Sequence, residues 1–209
     1  IIFLISGLVS SNLFFLSVRS ALFPSPSVPI FLLTAIICPL LFLCFTITSS
    51  ISSQSCSIDS SKSIYSFDSF EGLTNPATED DFDEALRGKY RGDFDKLIAA
   101  ISLYNFDNQV FLKRGLIEDT VPKFVEKNPD RKISLIYYDA DFFEPAETMF
   151  KYLVPRLSIG GIILLDEYGM PEWPGETKSA DIFLARHSNF ISEKIETAKQ
   201  PTLKITRIS

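Results

Sequence analysis

Four carboxylates stand at the ends of two short apolar runs: Asp139 and Asp141 in ISLIYYDAD (Ile133–Asp141), Asp166 and Glu167 in GGIILLDEYG (Gly160–Gly169). Apolar runs of this length, broken abruptly by charge, have the pattern of strands buried on both faces. The carboxyl ends of such strands are where open α/β sheets bind ligands. Acids brought together there repel one another, so a cation, a bound proton or a basic partner must balance them. Two strand tips therefore predict one site, built around a divalent metal.

The elements that would position these acids alternate between strand and helix. SIYSF (Ser63–Phe67) is a short strand ending at Asp68, and Thr74–Gly92 is a polar surface loop or lid with one helical turn. Asp93 caps a helix with Phe94, Leu97, Ile98 and Ile101 at helical spacing. Gln109–Lys113 is a strand and Thr120–Lys127 a helix with Pro122 in its first turn. Ile133–Tyr138 leads to the first acid pair. Glu144–Leu157 is a helix with Pro155 in its last turn, and Gly161–Leu165 is a buried strand. Glu176–His187 is a helix, and Asn189–Ile195 with Leu203–Ile208 an antiparallel pair. Such alternation predicts a mostly parallel α/β sheet with helices on both faces and an antiparallel last strand.

Charge is unevenly placed. Residues 1–60 carry only Arg19 and Asp59, whereas residues 61–209 hold the other 19 basic and 25 acidic side chains. This divides the chain into an apolar N-terminal segment, 1–60, and a domain at 61–209. No basic stripe marks the latter as a nucleic-acid binder. Cys38, Cys44 and Cys56 fit neither a zinc site nor a disulfide scaffold. Val28–Thr48 is long enough to cross a bilayer, and Ile1–Val18 is a second apolar run. Two readings stand side by side: a genuine membrane anchor, or a stretch joined from another reading frame, since the sequence starts at Ile. A cytoplasmic location is the default, membrane-anchored if the segment is native.

The ordered motifs FDSFEGL (Phe67–Leu73), GLIEDTVPKF (Gly115–Phe124), DADFFEP (Asp139–Pro145), LVPRLSIGGIILLDEYG (Leu153–Gly169) and WPGETKSADIFL (Trp173–Leu184) resemble the macrocin O-methyltransferase (TylF-type) family. The resemblance covers about residues 63–188. It implies a Rossmann-like class I methyltransferase fold, S-adenosylmethionine as cofactor, Mg2+, and a sugar or glycosylated natural product as acceptor. It further implies that Asp139, Asp166 and Glu167 hold the metal, although many relatives have Asp-Asp where this chain has Asp166-Glu167. By the same resemblance Asp68 and Ser69 meet the cofactor's ribose, Glu118 and Asp119 lie near its adenine, and Asp139 also borders the cofactor. Asp139 and Asp141 are the catalytic candidates; the general base is either Asp141 or solvent acting on a metal-bound hydroxyl. Relatives often assemble, which leaves a homo-oligomer open.

One departure stands out. The family's first strand ends in a glycine-rich turn upstream of FDSFEGL, yet no glycine lies between Gly7 and Gly72. The chain is therefore expected to lack a normal first strand, and with it firm cofactor binding; Leu41–Thr48 has the right spacing but no glycine after it. Two alternative functions follow: a glycosyltransferase using Asp139-Ala140-Asp141 as a metal-binding DxD, or a non-catalytic truncated methyltransferase. Plainer roles compete at single residues. Asp68 could only form a turn, Asp141 could cap a helix, His187 could complement a helix dipole, Trp173 could pack, and the run Glu79–Glu84 could be a solvated loop.

Overall fold

The structure, a computed structural model, describes residues 2–6, 62–196 and 202–209. Seven strands form one sheet in the order β3-β2-β1-β4-β5-β7-β6. They are β1 (Ile2–Ser6), β2 (Ile64–Asp68), β3 (Val110–Arg114), β4 (Ile133–Asp139), β5 (Leu157–Leu165), β6 (Phe190–Lys194) and β7 (Leu203–Arg207). The first five run parallel; β7 pairs antiparallel with both β5 and β6. The helices are α1 (Phe94–Leu103), α2 (Ile117–Lys127), α3 (Phe143–Tyr152) and α4 (Pro174–Arg186).

The strand period of two divides the core. Tyr65, Phe67, Ile136, Tyr138, Ile163 and Leu165 point to one face, where Val121, Phe124, Met149, Phe150, Ala180 and Phe183 of α2, α3 and α4 cover them. Leu135, Tyr137, Ile162 and Leu164 point to the other, where Leu97 and Ile101 of α1 pack. Both faces are thus apolar, which is why β4 and β5 are near-continuous apolar runs rather than alternating ones.

The expected missing first strand is corrected. Ile2–Ser6 fills the central place, registering Ile2–Ile5 against Ile64–Phe67 and Ile2–Ser6 against Leu135–Asp139. Gly7 follows it directly in the sequence. The sheet therefore reaches outside residues 61–209. Leu41–Thr48 and the apolar run Val28–Thr48 lie outside the described residues; among those described, no helix is long and apolar enough to cross a membrane.

Two helix boundaries also differ from expectation. α2 starts at Ile117 rather than Thr120, so Pro122 lies inside it. Its missing N–H would have bonded the carbonyl of Glu118, so the helix loses one internal hydrogen bond there. α3 stops at Tyr152, because a 3-10 turn (Val154–Arg156) containing Pro155 ends the helix and Leu157 already begins β5. β5 is correspondingly longer, with a bulge where Ile133 pairs Leu157 but Leu135 pairs Ile162. Gly160 takes φ 76° there, and a Cβ on Gly161 would lie 2.7 Å from the Ser158 carbonyl.

Candidate active site

The tips of β4 and β5 are neighbours, and Asp139, Asp141, Asp166 and Glu167 meet there. Asp139 is half-buried; Asp141, Asp166 and Glu167 are 7%, 3% and 7% exposed. Burial first, then the neighbouring carboxylates, pushes the carboxyls of Asp139, Asp141 and Asp166 well above the usual range. Asp141 lies within hydrogen-bond reach of Glu167. One Asp166 oxygen, Oδ2, accepts from the Tyr137 hydroxyl at 3.2 Å; the other, Oδ1, is buried without a partner among the described residues. Burial and the charges of Asp166 and Asp139 raise the Tyr137 phenol, so it stays a donor.

A fifth acid joins these four. Glu176, in the first turn of α4, is fully buried; its Oε1 accepts the Glu167 N–H at 3.4 Å and its Oε2 has no partner among the described residues. Burial, then Asp166, Asp141 and Glu167, raises its carboxyl well above the ordinary value. Sequence reasoning missed Glu176 because an acid in a first helical turn is an ordinary partner of the helix dipole. Tyr137 was missed as one more apolar strand residue.

Beside the acids lies a cleft open to solvent, lined in part by Asp68, Ser69, Glu118, Ala140 and Phe142. Three of the five expected cofactor residues, Asp68, Ser69 and Glu118, thus share one cavity; Asp119, which is exposed, and Asp139 are outside its lining. Asp68 ends β2 and is 5% exposed, with Oδ1 accepting the Phe70 N–H at 2.6 Å. It therefore does form the turn, and also faces the cleft. Glu118 is half-buried and its carboxyl is raised, by burial before the charges of Glu144 and Asp119.

Other residues have structural roles. The His187 ring stacks on Phe183 at 4.3 Å with Nδ1 2.8 Å from the Phe183 carbonyl, at the end of α4. Trp173 is buried against Phe142, with ring centroids 6.4 Å apart. After β5, the turn is tied to α4 by Tyr168 donating to Asp181 (2.7 Å) and Gly169 N–H donating to Thr177 (2.8 Å). Bonding to Asp181 holds the Tyr168 phenol up at about 12.

The cation can be tested against these residues. The donors are all hard oxygens, several carboxylates crowd together and Asp166 Oδ1 has no partner among the described residues, so the chemistry of the set suits a hard divalent ion. The side chains are not drawn together around one point, however: among the described residues no three His, Cys, Asp or Glu form a ready ligand group.

A parallel sheet with an antiparallel last strand, helices on both faces, and acids and a cleft at the strand tips define the Rossmann-like class I methyltransferase architecture. A sequence model of the macrocin-O-methyltransferase (TylF) family matches residues 47–198, and the chain belongs to that family. It is 27% identical over 119 residues to 8-demethyl-8-(2,3-dimethoxy-alpha-L-rhamnosyl)-tetracenomycin-C 4'-O-methyltransferase of Streptomyces olivaceus, covering 54% of this chain and 44% of that relative. The chain thus spans less than half the length of that relative. Among solved structures, CalS11, a calicheamicin methyltransferase, aligns with TM-score 0.61 and 22% identity, covering 71% of this chain and 61% of that one. The O-methyltransferase NovP aligns with TM-score 0.60 and 18% identity, covering 81% and 67%. At these identities the two structures speak to the fold.

Proposed function

We propose that the chain transfers a methyl group from S-adenosylmethionine to a hydroxyl of a sugar or glycosylated small molecule. The supporting observation is the meeting of Asp139, Asp141, Asp166 and Glu167 beside the cleft that Asp68, Ser69 and Glu118 line. The cofactor would occupy that cleft, with Asp68 and Ser69 toward its ribose and Glu118 toward its adenine. In the reaction a carbon–oxygen bond forms as the carbon–sulfur bond breaks, and the hydroxyl proton leaves to a base. Asp141 suits that role: its carboxyl stands at the acid cluster and its raised proton affinity matches it to a hydroxyl better than an ordinary aspartate.

Asp139, Asp166 and Glu167 would hold Mg2+, with Tyr137 orienting Asp166 from below. When bound, the cation would supply charge that makes the acceptor hydroxyl more acidic and fixes its direction. No observation favours the DxD glycosyltransferase alternative. The sugar class of the acceptor is drawn from relatives: the Streptomyces olivaceus enzyme is named for a rhamnosyl tetracenomycin, and CalS11 is a TDP-rhamnose 3'-O-methyltransferase.

Calorimetric titration with S-adenosylhomocysteine, and label transfer from methyl-labelled cofactor to TDP-rhamnose with and without EDTA, test the reading. Micromolar product binding and EDTA-sensitive transfer are expected. A chain that binds no S-adenosylhomocysteine refutes it and leaves the truncated, non-catalytic form.

A further inference from the structure

The acidic run Glu79–Glu84 contains one residue that is not solvated. Asp80 is 2% exposed, and both its oxygens are used. Oδ2 accepts the Ala77 N–H at 2.7 Å, within the loop 74–92. Oδ1 accepts the N–H of Phe143 at 2.7 Å, the first residue of α3, which has no side-chain cap of its own. Gly175, in the first turn of α4, leaves room for this carboxylate: a Cβ there would overlap Asp80 Oδ1 and lie 2.7 Å from the Phe143 nitrogen. Three elements thus converge on one aspartate.

Phe143 is two residues from Asp141, and the turn between them is held under constraint. Asp141 adopts φ 62°, a left-handed conformation that aspartate tolerates but does not prefer. Phe142 N–H donates to the Ala140 carbonyl at 2.6 Å, and the buried Tyr138 hydroxyl donates to the Phe142 carbonyl at 2.6 Å. Asp80 is the only one of these anchors that comes from the loop. That loop also docks by packing: Phe82 meets Phe142 edge-on at 5.3 Å, and Leu73, Phe142 and Trp173 form a small core with Phe82, Leu86 and Met170 against it.

From this geometry we infer that Asp80 is a positioning residue: it locks the 74–92 loop onto the start of α3 and thereby holds the left-handed turn that presents Asp141. The inference deepens the proposed function and rests on Asp141 acting as base. The loop and the base would then be set by one carboxylate, so that a docked loop and a correctly aimed base occur together.

Asp80→Ala, Asp80→Asn and Asp141→Asn in the full chain test this. Trp173 is the sole tryptophan and its emission reports loop docking. The Asp141 amide–Cα proton coupling reports its φ, and Phe143 amide exchange reports the cap. In Asp80→Ala the emission should move to longer wavelength, Phe143 should exchange at least about tenfold faster, and the Asp141 coupling should leave its left-handed value. With TDP-rhamnose as acceptor, kcat should fall about 100-fold, while KM for the cofactor changes less than about threefold. Asp80→Asn, keeping one acceptor oxygen, should fall between. Wild-type emission, exchange and Asp141 coupling in Asp80→Ala would overturn the inference, as would an altered loop with unchanged Asp141 coupling and kcat. Should Asp80→Ala fail to fold, Gly175→Ala displaces the carboxylate while retaining it, and the same readouts decide. Full activity in Asp141→Asn would instead refute the base, leaving emission, exchange and coupling to judge Asp80.

Discussion

Glu176→Gln should make the metal-free protein more stable, and more so as pH rises. Glu176 is fully buried, one of its oxygens has no partner among the described residues, and Asp166, Asp141 and Glu167 surround it with like charge. Its carboxyl is raised above the ordinary value of 4.5, by burial first and then by Asp166. A raised carboxyl means that the folded state holds its proton where the unfolded state has released it. Stability therefore falls as pH rises above the ordinary glutamate range, and no penalty exists below it. Glutamine keeps the acceptor for the Glu167 N–H at 3.4 Å and removes the charge. Relief of one uncompensated buried charge is worth about 2 kcal/mol after relaxation. For a chain of this size that raises Tm by about 4–8 °C at pH 8 and by almost nothing at pH 4. Calorimetric melting in EDTA from pH 4 to pH 8 measures it. An unchanged or lower Tm at pH 8 would show that Glu176 is already balanced, and the electrostatic reading of the cluster would be wrong.

Further outcomes follow from the same geometry. Mg2+ at about a hundredfold excess over its Kd should stabilise the protein by about 2.7 kcal/mol. Melting scans should show more gain at pH 8 than at pH 5, where the raised carboxyls of Asp139, Asp141 and Asp166 compete by holding protons. Tyr137→Phe removes the donor to Asp166 Oδ2 and should destabilise by about 1–3 kcal/mol in urea denaturation, because a second buried carboxylate oxygen loses its partner. Asp68→Ala removes both the bond to the Phe70 N–H and a wall of the cleft, and S-adenosylhomocysteine affinity by calorimetry should fall at least about tenfold. Gly161→Ala forces a Cβ to 2.7 Å from the Ser158 carbonyl inside the β5 bulge and should cost about 1–3 kcal/mol by denaturant melting.

The site's acids were legible because chemistry interrupts pattern: a charge ending an apolar run is conspicuous, and Asp139 and Asp166 both mark strand tips. β2 to β7 and the four helices were legible to within a few residues wherever apolar period and capping agreed, as at Asp93, whose carboxylate accepts the Lys96 N–H at 3.0 Å. Ile2–Ser6 was not, because its neighbours in sequence are as apolar as it is and no contrast marks where a strand starts. Asp80 and Glu176 were hidden for a different reason. Each looks like a surface acid in its own segment, and only the packing of α3 and α4 against the loop and the strand tips buries it. Burial of a polar residue by elements distant in sequence leaves no local trace.

The place of Ile2–Ser6 has a consequence for how the molecule can be taken apart. β2 and β4 touch this segment from opposite sides and do not pair with each other. Deleting it would leave a slot about 9.6 Å wide, two ladder spacings, bordered by two rows of exposed amide and carbonyl groups. Such borders recruit other chains. A protein trimmed of these few residues would therefore be prone to self-association, and an extended peptide copying them is the natural plug for the gap.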